Sequence, residues 1–269
     1  DRRQRQMCIR DRYSSAAVSK PTFIDIEDAS WMWGILITDK DRVSTTGICN
    51  FPSHMGSLNY GYASVGGWRR ISPKLYNQIP ESDVRKGWFL DDTGVSVNLP
   101  AAAQAYITKK GAPVYTQVKY GPMNDEWGSN NNATDVILMR VEEMYLIKAE
   151  AQAMNNDVSG GVNTLNSFVN TYRDPSYKCT ATTGEAVQEA VWHQRRIEFW
   201  GEGLAYFDIM RLNKGVNRLG CGFPKTAVFN IAAGDPVQIY SIPNKEVQYN
   251  PLLENNPLVS APTPIPDEE

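Results

Sequence analysis

Residues 134–154 read TDVILMRVEEMYLIKAEAQAM, and their apolar side chains recur at helical spacing. We therefore expect one helix over this whole run, with Thr134 or Asp135 as its N-cap. Residues 162–172, VNTLNSFVNTY, follow a Gly-Gly turn and predict a second amphipathic helix. The two helices would form an αα-hairpin of about the length of one tetratricopeptide unit, roughly 34 residues.

The same spacing continues toward the C-terminus. Residues 185–213 predict a third long helix, in which Gly201 and Gly203 indicate close packing or a bend. A short helical turn is expected after Pro243, inside the run IPNKEVQYNPLLENNP.

The preceding part of the chain, residues 21–130, is turn-rich. A short helix is expected to open at Pro73, and Pro-bounded loops with short strands are expected over residues 90–130. The apolar run WMWGILI at 31–37 is strand-like, and we assign Trp31 and Trp33 to the core. The fold class is therefore mainly α, with tetratricopeptide-type helix pairs, an irregular loop-rich segment and short strands.

Charge and composition exclude some functions. The 269 residues carry 27 Lys and Arg against 30 Asp and Glu, a net charge of −3, which lacks the basic character of a nucleic-acid binder. No apolar run approaches the roughly 20 residues of a membrane-spanning helix. We expect residues 21–258 to form one domain, residues 1–20 to be a non-native or disordered start, and residues 259–269 to be a mobile, Pro-rich acidic tail.

The chain offers no recognisable catalytic motif. P-loop, GxGxxG, GxSxG and HExxH patterns are all missing, and His54 and His193 are the only histidines. The four cysteines match no metal framework, so we expect no metal site on sequence grounds. The carboxylate pairs Glu198/Glu202 and Asp91/Asp92 are the remaining candidates for a hydrolase. Glu198 and Glu202 lie near Arg195, Arg196 and Arg211 in the sequence, which favours a structural ion-pair network.

Aromatic residues among turns are more informative than these carboxylates. The stretch NYGYASVGGWRR contains Tyr60, Tyr62 and Trp68, and three further aromatic residues of similar setting follow it, namely Trp88, Tyr120 and Trp127. Aromatic rings can stack on the C–H face of a sugar while polar side chains bind its hydroxyls. The sequence therefore predicts a ligand site with Tyr60, Tyr62 and Trp68 as stacking residues and Asn59 and Arg69 as polar partners.

Four ordered motifs between residues 25 and 258 carry a family resemblance. They are DVRKGWF, the helix DVILMRVEEMYLIKAEA, the segment QRRIEFWGEGLAYFDIMRLNKG and the closing IPNKEVQYNPLLENNP. Together they resemble the C-terminal part of the SusD/RagB family of nutrient-binding outer-membrane lipoproteins of Bacteroidetes. Two positions depart from the family pattern, Gln194 and Leu204, and both bear on packing rather than on ligand binding. Family members are typically about twice as long, so the chain resembles their C-terminal half.

The resemblance implies a binding protein and not an enzyme. It implies capture of oligosaccharides or polysaccharides at the cell surface, outside the outer membrane, and delivery to a TonB-dependent SusC-like transporter. The membrane would be reached only through a lipid anchor on the N-terminal part. Peptide binding or transporter docking, as in the RagB branch, is the alternative, and glycoside hydrolysis is the least favoured reading. No cofactor is expected, although a structural calcium ion is compatible with the resemblance.

Overall fold

A computed structural model describes residues 23–45 and 50–265. The start at 1–20 and the cysteines Cys8 and Cys49 lie outside the described residues. The described chain divides into two compact units, one formed by residues 23–71 and 75–202 and the other by residues 72–74 and 203–265. The division of the sequence into segments 1–20, 21–258 and 259–269 stays a prediction.

The structure is mainly α-helical, as the sequence predicts. The described residues contain eight α-helices: α1 Phe51–Met55, α2 Pro73–Tyr76, α3 Ala101–Lys109, α4 Val141–Met154, α5 Val158–Tyr172, α6 Gly184–Glu198, α7 Ala205–Arg211 and α8 Asn244–Tyr249. They also contain two antiparallel two-stranded sheets: β1 Trp31–Ile35 with β2 Val136–Arg140, and β3 Val216–Asn217 with β4 Asn230–Ile231. Short 3-10 helices connect these elements, among them Ala63–Val65 and Val84–Trp88.

Helices α4, α5 and α6 form the predicted helical part of the first unit. Helix α4 packs against both α5 and α6. Side-chain caps fix two of their starts, since Asp157 accepts from the Gly160 amide at 2.9 Å and Thr183 accepts from the Ala186 amide at 3.2 Å. The predicted hairpin of α4 and α5 is confirmed, and α5 begins four residues earlier than the apolar pattern indicates.

The prediction of a single helix over residues 134–154 is wrong for the first part of this run. Residues 136–140 form β2, which pairs with β1 through Trp31 opposite Arg140 and Ile35 opposite Val136. Asp135 is not an N-cap, because its carboxylate accepts from the amides of Ile26 and Ile37, both at 2.7 Å. The β-branched start of the run fits a strand once a partner strand is available.

The prediction of one long helix over residues 185–213 is also wrong, because this stretch forms two helices, α6 and α7, with a break between them. Gly201 and Gly203 lie in the break with φ angles of +79° and +82°. These angles are left-handed and cannot occur inside an α-helix, so the two glycines end one helix before the next begins. The stretch 101–109, assigned to loops by sequence, forms α3.

Two clusters of buried side chains form the core of the first unit. The larger contains Trp31, Trp88 and Tyr120, and the smaller is built around Leu58, Ile107 and Val118. The assignment of Trp31 to the core is therefore confirmed. Trp33 is 60% exposed on the outer face of β1, so its assignment to the core is wrong. Residues two apart share a face in a regular strand, but the pairing of β1 with β2 shifts register between Trp31 and Trp33, and this irregularity breaks the alternation so that only one of the two indoles is buried.

Candidate functional site

The loop that carries the candidate site residues is held in place by backbone hydrogen bonds. It follows α1 and contains the 3-10 helix Ala63–Val65. The Tyr60 amide donates to the Ser129 carbonyl at 2.9 Å, and the Tyr62 amide donates to the Ser53 hydroxyl at 3.0 Å. The loop therefore presents its two tyrosines from a fixed backbone.

Tyr60 and Tyr62 are the exposed rings of this loop. Their exposed fractions are 53% and 41%. The Lys110 ammonium lies 5.7 Å from the centre of the Tyr60 ring, and the same ammonium lies 5.7 Å from the Tyr106 ring. A large aromatic side chain left this open to solvent on an ordered loop is available for contact with a ligand.

Tyr62 belongs to a small group with His54 and Arg69. The His54 imidazole stacks on the Tyr62 ring with centroids 4.8 Å apart. The Arg69 guanidinium carbon lies 5.5 Å from the Tyr62 ring centre, and Arg69 Nη2 donates to His54 Nδ1 at 3.3 Å. Because Nδ1 accepts, the proton of neutral His54 is assigned to Nε2. The structure thus brings Arg69 and Tyr62 together, as the candidate site requires.

Trp68 and Asn59 are placed differently. Trp68 is half-buried and packs against the smaller core cluster. Asn59 is fully buried, and its side-chain amide donates to Asn132 Oδ1 at 3.3 Å. Within the described part of the chain, no ring-to-ring contact joins Tyr60, Tyr62 and Trp68. Asn59 therefore supports the loop from beneath and does not reach the surface on which a ligand would lie.

The other aromatic residues from turn-rich stretches do not share the exposure of Tyr60 and Tyr62. Trp88 and Tyr120 are buried in the larger core cluster, and Trp127 is partly buried against the smaller one. A turn-rich neighbourhood in the sequence therefore did not distinguish exposed rings from core rings.

Glu198 is the centre of a buried ion network. Its carboxylate accepts from Arg173 at 2.7 Å, from Arg140 at 2.5 Å and from Arg85 at 3.2 Å. Burial opposes the charge of Glu198, but Arg173, Arg140 and Arg85 hold the pKa of its carboxyl group well below the usual range. Glu198 therefore stays ionised and is enclosed by cations.

Glu202 belongs to the same network. Arg140 donates to its two oxygens at 2.9 and 2.8 Å, and Lys119 forms a further short contact with it. Burial opposes ionisation, but Arg140 and Lys119 lower the pKa of Glu202. Burial also lowers the pKa of Lys119 to about 8.

The structural interpretation of Glu198 and Glu202 is confirmed, but its arginine partners are different from those expected. Arg211 pairs with Asp208 at 2.8 Å in the second unit. Arg195 forms its ion pair with Glu143 at 3.4 Å. A general acid must hold a proton near neutral pH, and a carboxylate enclosed by guanidinium groups does not.

Asp91 of the second carboxylate pair organises its own loop. Its Oδ1 accepts from the amides of Thr93 and Val95 at 2.8 and 2.9 Å. Burial opposes ionisation, and these hydrogen bonds lower the pKa of its carboxyl group. Asp92, the next residue, is exposed.

Across residues 23–45 and 50–265, no group of three or more His, Cys, Asp and Glu side chains is placed to hold a metal ion. The expectation about a structural calcium ion stays a prediction. No helix among the described residues has the length and apolar character needed to cross a bilayer.

Comparison with known proteins identifies the family. The family model described as SusD family matches residues 80–258, two thirds of the chain. The chain belongs to the SusD family. A comparison with curated proteins finds no match.

Solved structures support the same fold for this SusD-family chain. A SusD superfamily protein from Bacteroides thetaiotaomicron matches with a TM-score of 0.68 and 22% identity, over 91% of this chain and 52% of that one. A SusD superfamily protein from Bacteroides vulgatus matches with a TM-score of 0.62 and 22% identity, over 86% of this chain and 46% of that one. A SusD-like carbohydrate binding protein from Bacteroides vulgatus matches with a TM-score of 0.54 and 24% identity, over 79% of this chain and 40% of that one.

These comparisons confirm the mainly α, SusD-like fold. The chain spans about half or less of the length of these solved structures.

Sequence reasoning missed two residues of the loop surface. His54 lies in α1 and stacks on Tyr62, and Lys110 follows α3 and lies over Tyr60. No local pattern marks either residue, since each meets the loop only through tertiary packing.

Proposed function

We propose that this chain captures glycans at the bacterial cell surface and takes no part in their cleavage. The observation that carries the proposal is the exposure of Tyr60 and Tyr62 on a loop whose backbone is hydrogen-bonded on both sides. A phenol ring offers an apolar face to sugar C–H groups, and a fixed loop lowers the entropy that binding must overcome.

Arg69 and Trp68 complete the proposed surface. Arg69 lies beside Tyr62 and can donate to sugar hydroxyls through the guanidinium protons that His54 does not use. Trp68 is half-buried, so it would contribute the exposed part of its indole. Asn59 is buried and would act only by supporting the loop.

Family membership supports the binding role. A SusD-like carbohydrate binding protein is among the solved structures with this fold, and its name supports a sugar as the ligand class. We further propose delivery of the ligand to a TonB-dependent SusC-like transporter at the outer membrane. In that arrangement the whole protein would be surface-exposed and attached to the membrane by a lipid anchor on its N-terminal part.

The experiment compares polysaccharide binding by the wild-type chain with that of single variants in affinity gels. Tyr60→Ala and Tyr62→Ala should each weaken retention of the cognate glycan about two- to tenfold, which is the range for one aromatic stacking contact. Trp33→Ala is the matched control, because Trp33 is an exposed aromatic residue on β1, outside the loop. Unchanged retention in both tyrosine variants would refute the proposed surface.

The same variants, tested also against peptides and for co-purification with the transporter, address the alternative. Retention of peptides and not of glycans would favour a peptide-binding component of the RagB type. Loss of co-purification with a SusC-like transporter after changes in the loop, with glycan binding intact, would indicate that this surface docks the transporter.

A further inference from the structure

A second candidate site lies in a cavity of the first unit. Its volume is about 470 Å³, within the range of small-molecule sites, roughly 300–1,000 Å³. The 3-10 helix Val84–Trp88 and the loop 91–98 line it, and Tyr76 and Tyr115 form an aromatic wall with ring centroids 5.1 Å apart. The cavity shares no lining residue with the Tyr60 loop.

The charge of this cavity is negative. Of the four carboxylates that line it, Asp83 is paired with Arg85 at 2.6 Å and Glu81 is paired with Lys86 at 2.5 Å. Asp91 and Asp92 form no salt bridge within the part of the chain that the structure describes. Because Oδ1 of Asp91 already accepts hydrogen bonds from its own loop, the carboxylate of Asp92 and the second oxygen of Asp91 are left to interact with a ligand.

Tyr76 is a largely buried tyrosine in the wall of this cavity. Only 7% of its surface is exposed. Burial and then the charges of Asp91, Glu81 and Asp92 raise the pKa of Tyr76 to about 12. The negative potential that disfavours a phenolate favours a cation in the same place. The neutral phenol can accept a hydrogen bond from a cationic donor.

The protein already places one ammonium group against this aromatic wall. Lys86 Nζ lies 5.0 Å from the centre of the Tyr76 ring while it pairs with Glu81. This contact demonstrates that the ring accommodates a cation. Because Glu81 neutralises Lys86, the surplus charge of the cavity remains that of Asp91 and Asp92.

We propose that this cavity binds a small organic ligand through a primary ammonium group, held between Tyr76 and the carboxylates of Asp91 and Asp92. An amino sugar and a lysine side chain both carry this group. The site does not depend on the proposed glycan surface, because it uses different residues.

The test is isothermal titration of the full chain in phosphate buffer, since amine buffers would compete. Glucosamine is compared with glucose and with N-acetylglucosamine, which lack the ammonium charge. Nα-acetyl-lysine amide is compared with its Nζ-acetylated form. Saturable binding of glucosamine alone would support an amino-sugar site, binding of the lysine derivative alone would support a basic peptide ligand, and binding of both would support a general ammonium site.

Two variants test the residues. Tyr76→Phe keeps the ring, removes the hydroxyl group and should weaken binding about tenfold, as expected for a hydrogen bond to a charged group. Asp92→Asn should weaken binding about threefold, because Asp92 is exposed. Asp39→Asn is the control, since it removes the same charge from an exposed position outside the cavity.

Three results would overturn the proposal: no binding of either ammonium ligand, equal binding of the acetylated forms, or equal losses in Asp39→Asn and Asp92→Asn. Tyr62→Ala should leave ammonium binding unchanged. A chain that loses glycan binding in Tyr62→Ala but binds glucosamine normally would separate the two sites.

Discussion

The guanidinium group of Arg173 donates hydrogen bonds to both carboxylate oxygens of Glu198, from Nε to Oε2 at 2.7 Å and from Nη2 to Oε1 at 2.7 Å. Both side chains are completely buried. This bidentate pair ties the end of α5 to the last turn of α6. The network around it explains why Glu198 and Glu202, at the end of α6 and in the break that follows it, serve the fold of this unit.

We expect Arg173→Ala to destabilise the chain strongly. Removing one partner leaves Glu198 with less compensation for its buried charge, at a cost of about 3–5 kcal/mol. Urea unfolding measures the change. Glu81→Ala is the control, because the Glu81 side chain is largely exposed in its pair with Lys86 and should change stability by less than about 1 kcal/mol. Equal effects of the two substitutions would contradict the structural role of the network.

Acid should destabilise the chain through the same carboxylates. The folded-state pKa values of Glu198 and Glu202 are below the ordinary value of 4.5, so the unfolded chain binds protons first as the pH falls. Their contribution to stability is therefore complete above pH 4.5 and is lost as the pH falls through the folded-state values. Urea unfolding at a series of pH values measures this loss, and a constant free energy of unfolding down to pH 3 would contradict it.

Replacing the exposed Trp33 of β1 and replacing the buried Trp88 should have different effects on stability. Trp88→Ala removes a fully buried indole and should cost about 3–5 kcal/mol. Trp33→Ala removes an exposed indole and should change the free energy of unfolding by less than about 1 kcal/mol. Thermal unfolding of both variants measures these changes. A large loss of stability in Trp33→Ala would contradict the exposed position of Trp33.

The glycines in the break between α6 and α7 should respond differently to a methyl group. In Gly201→Ala the new Cβ would lie 2.7 Å from the flexible Met55 Cε and 3.2 Å from the ring of the buried Tyr120, and the φ angle is left-handed. In Gly203→Ala the backbone strain is similar but no described atom lies within 4 Å of the new Cβ. We expect Gly203→Ala to lower the free energy of unfolding by about 1 kcal/mol through backbone strain, and Gly201→Ala to lower it by more. Denaturant unfolding of the pair measures the difference, and equal losses would contradict the close contact.

The sequence predicts correctly those helices whose formation depends on the spacing of nearby apolar residues or on a proline at their start. The hairpin of α4 and α5 and the short helices at Pro73 and Pro243 follow from amphipathic spacing and proline placement. Residues 136–140 were assigned to a helix because a short apolar run fits either period. Their pairing with β1 joins segments far apart in the sequence, which no local window contains.

The candidate site was predictable to a similar extent. Tyr60 and Tyr62 lie among glycines and are exposed, whereas Trp88 and Tyr120, in comparable surroundings, lie in the core. Exposure depends on which distant segments cover a ring. The same limit applies to the cavity beside Tyr76, because Tyr115, which completes its aromatic wall, is distant in the sequence.

Isothermal titration of the chain against a panel of neutral dietary and host glycans tests the central claim most directly. The account predicts heat that saturates at a fixed stoichiometry for one glycan class, with weaker binding in a Tyr60→Ala, Tyr62→Ala double variant that remains folded. Heat at constant power would indicate turnover and contradict a binding protein. If no glycan of the panel gives a heat of binding, or if the double variant binds with the affinity of the wild-type chain, glycan capture by this surface would be contradicted.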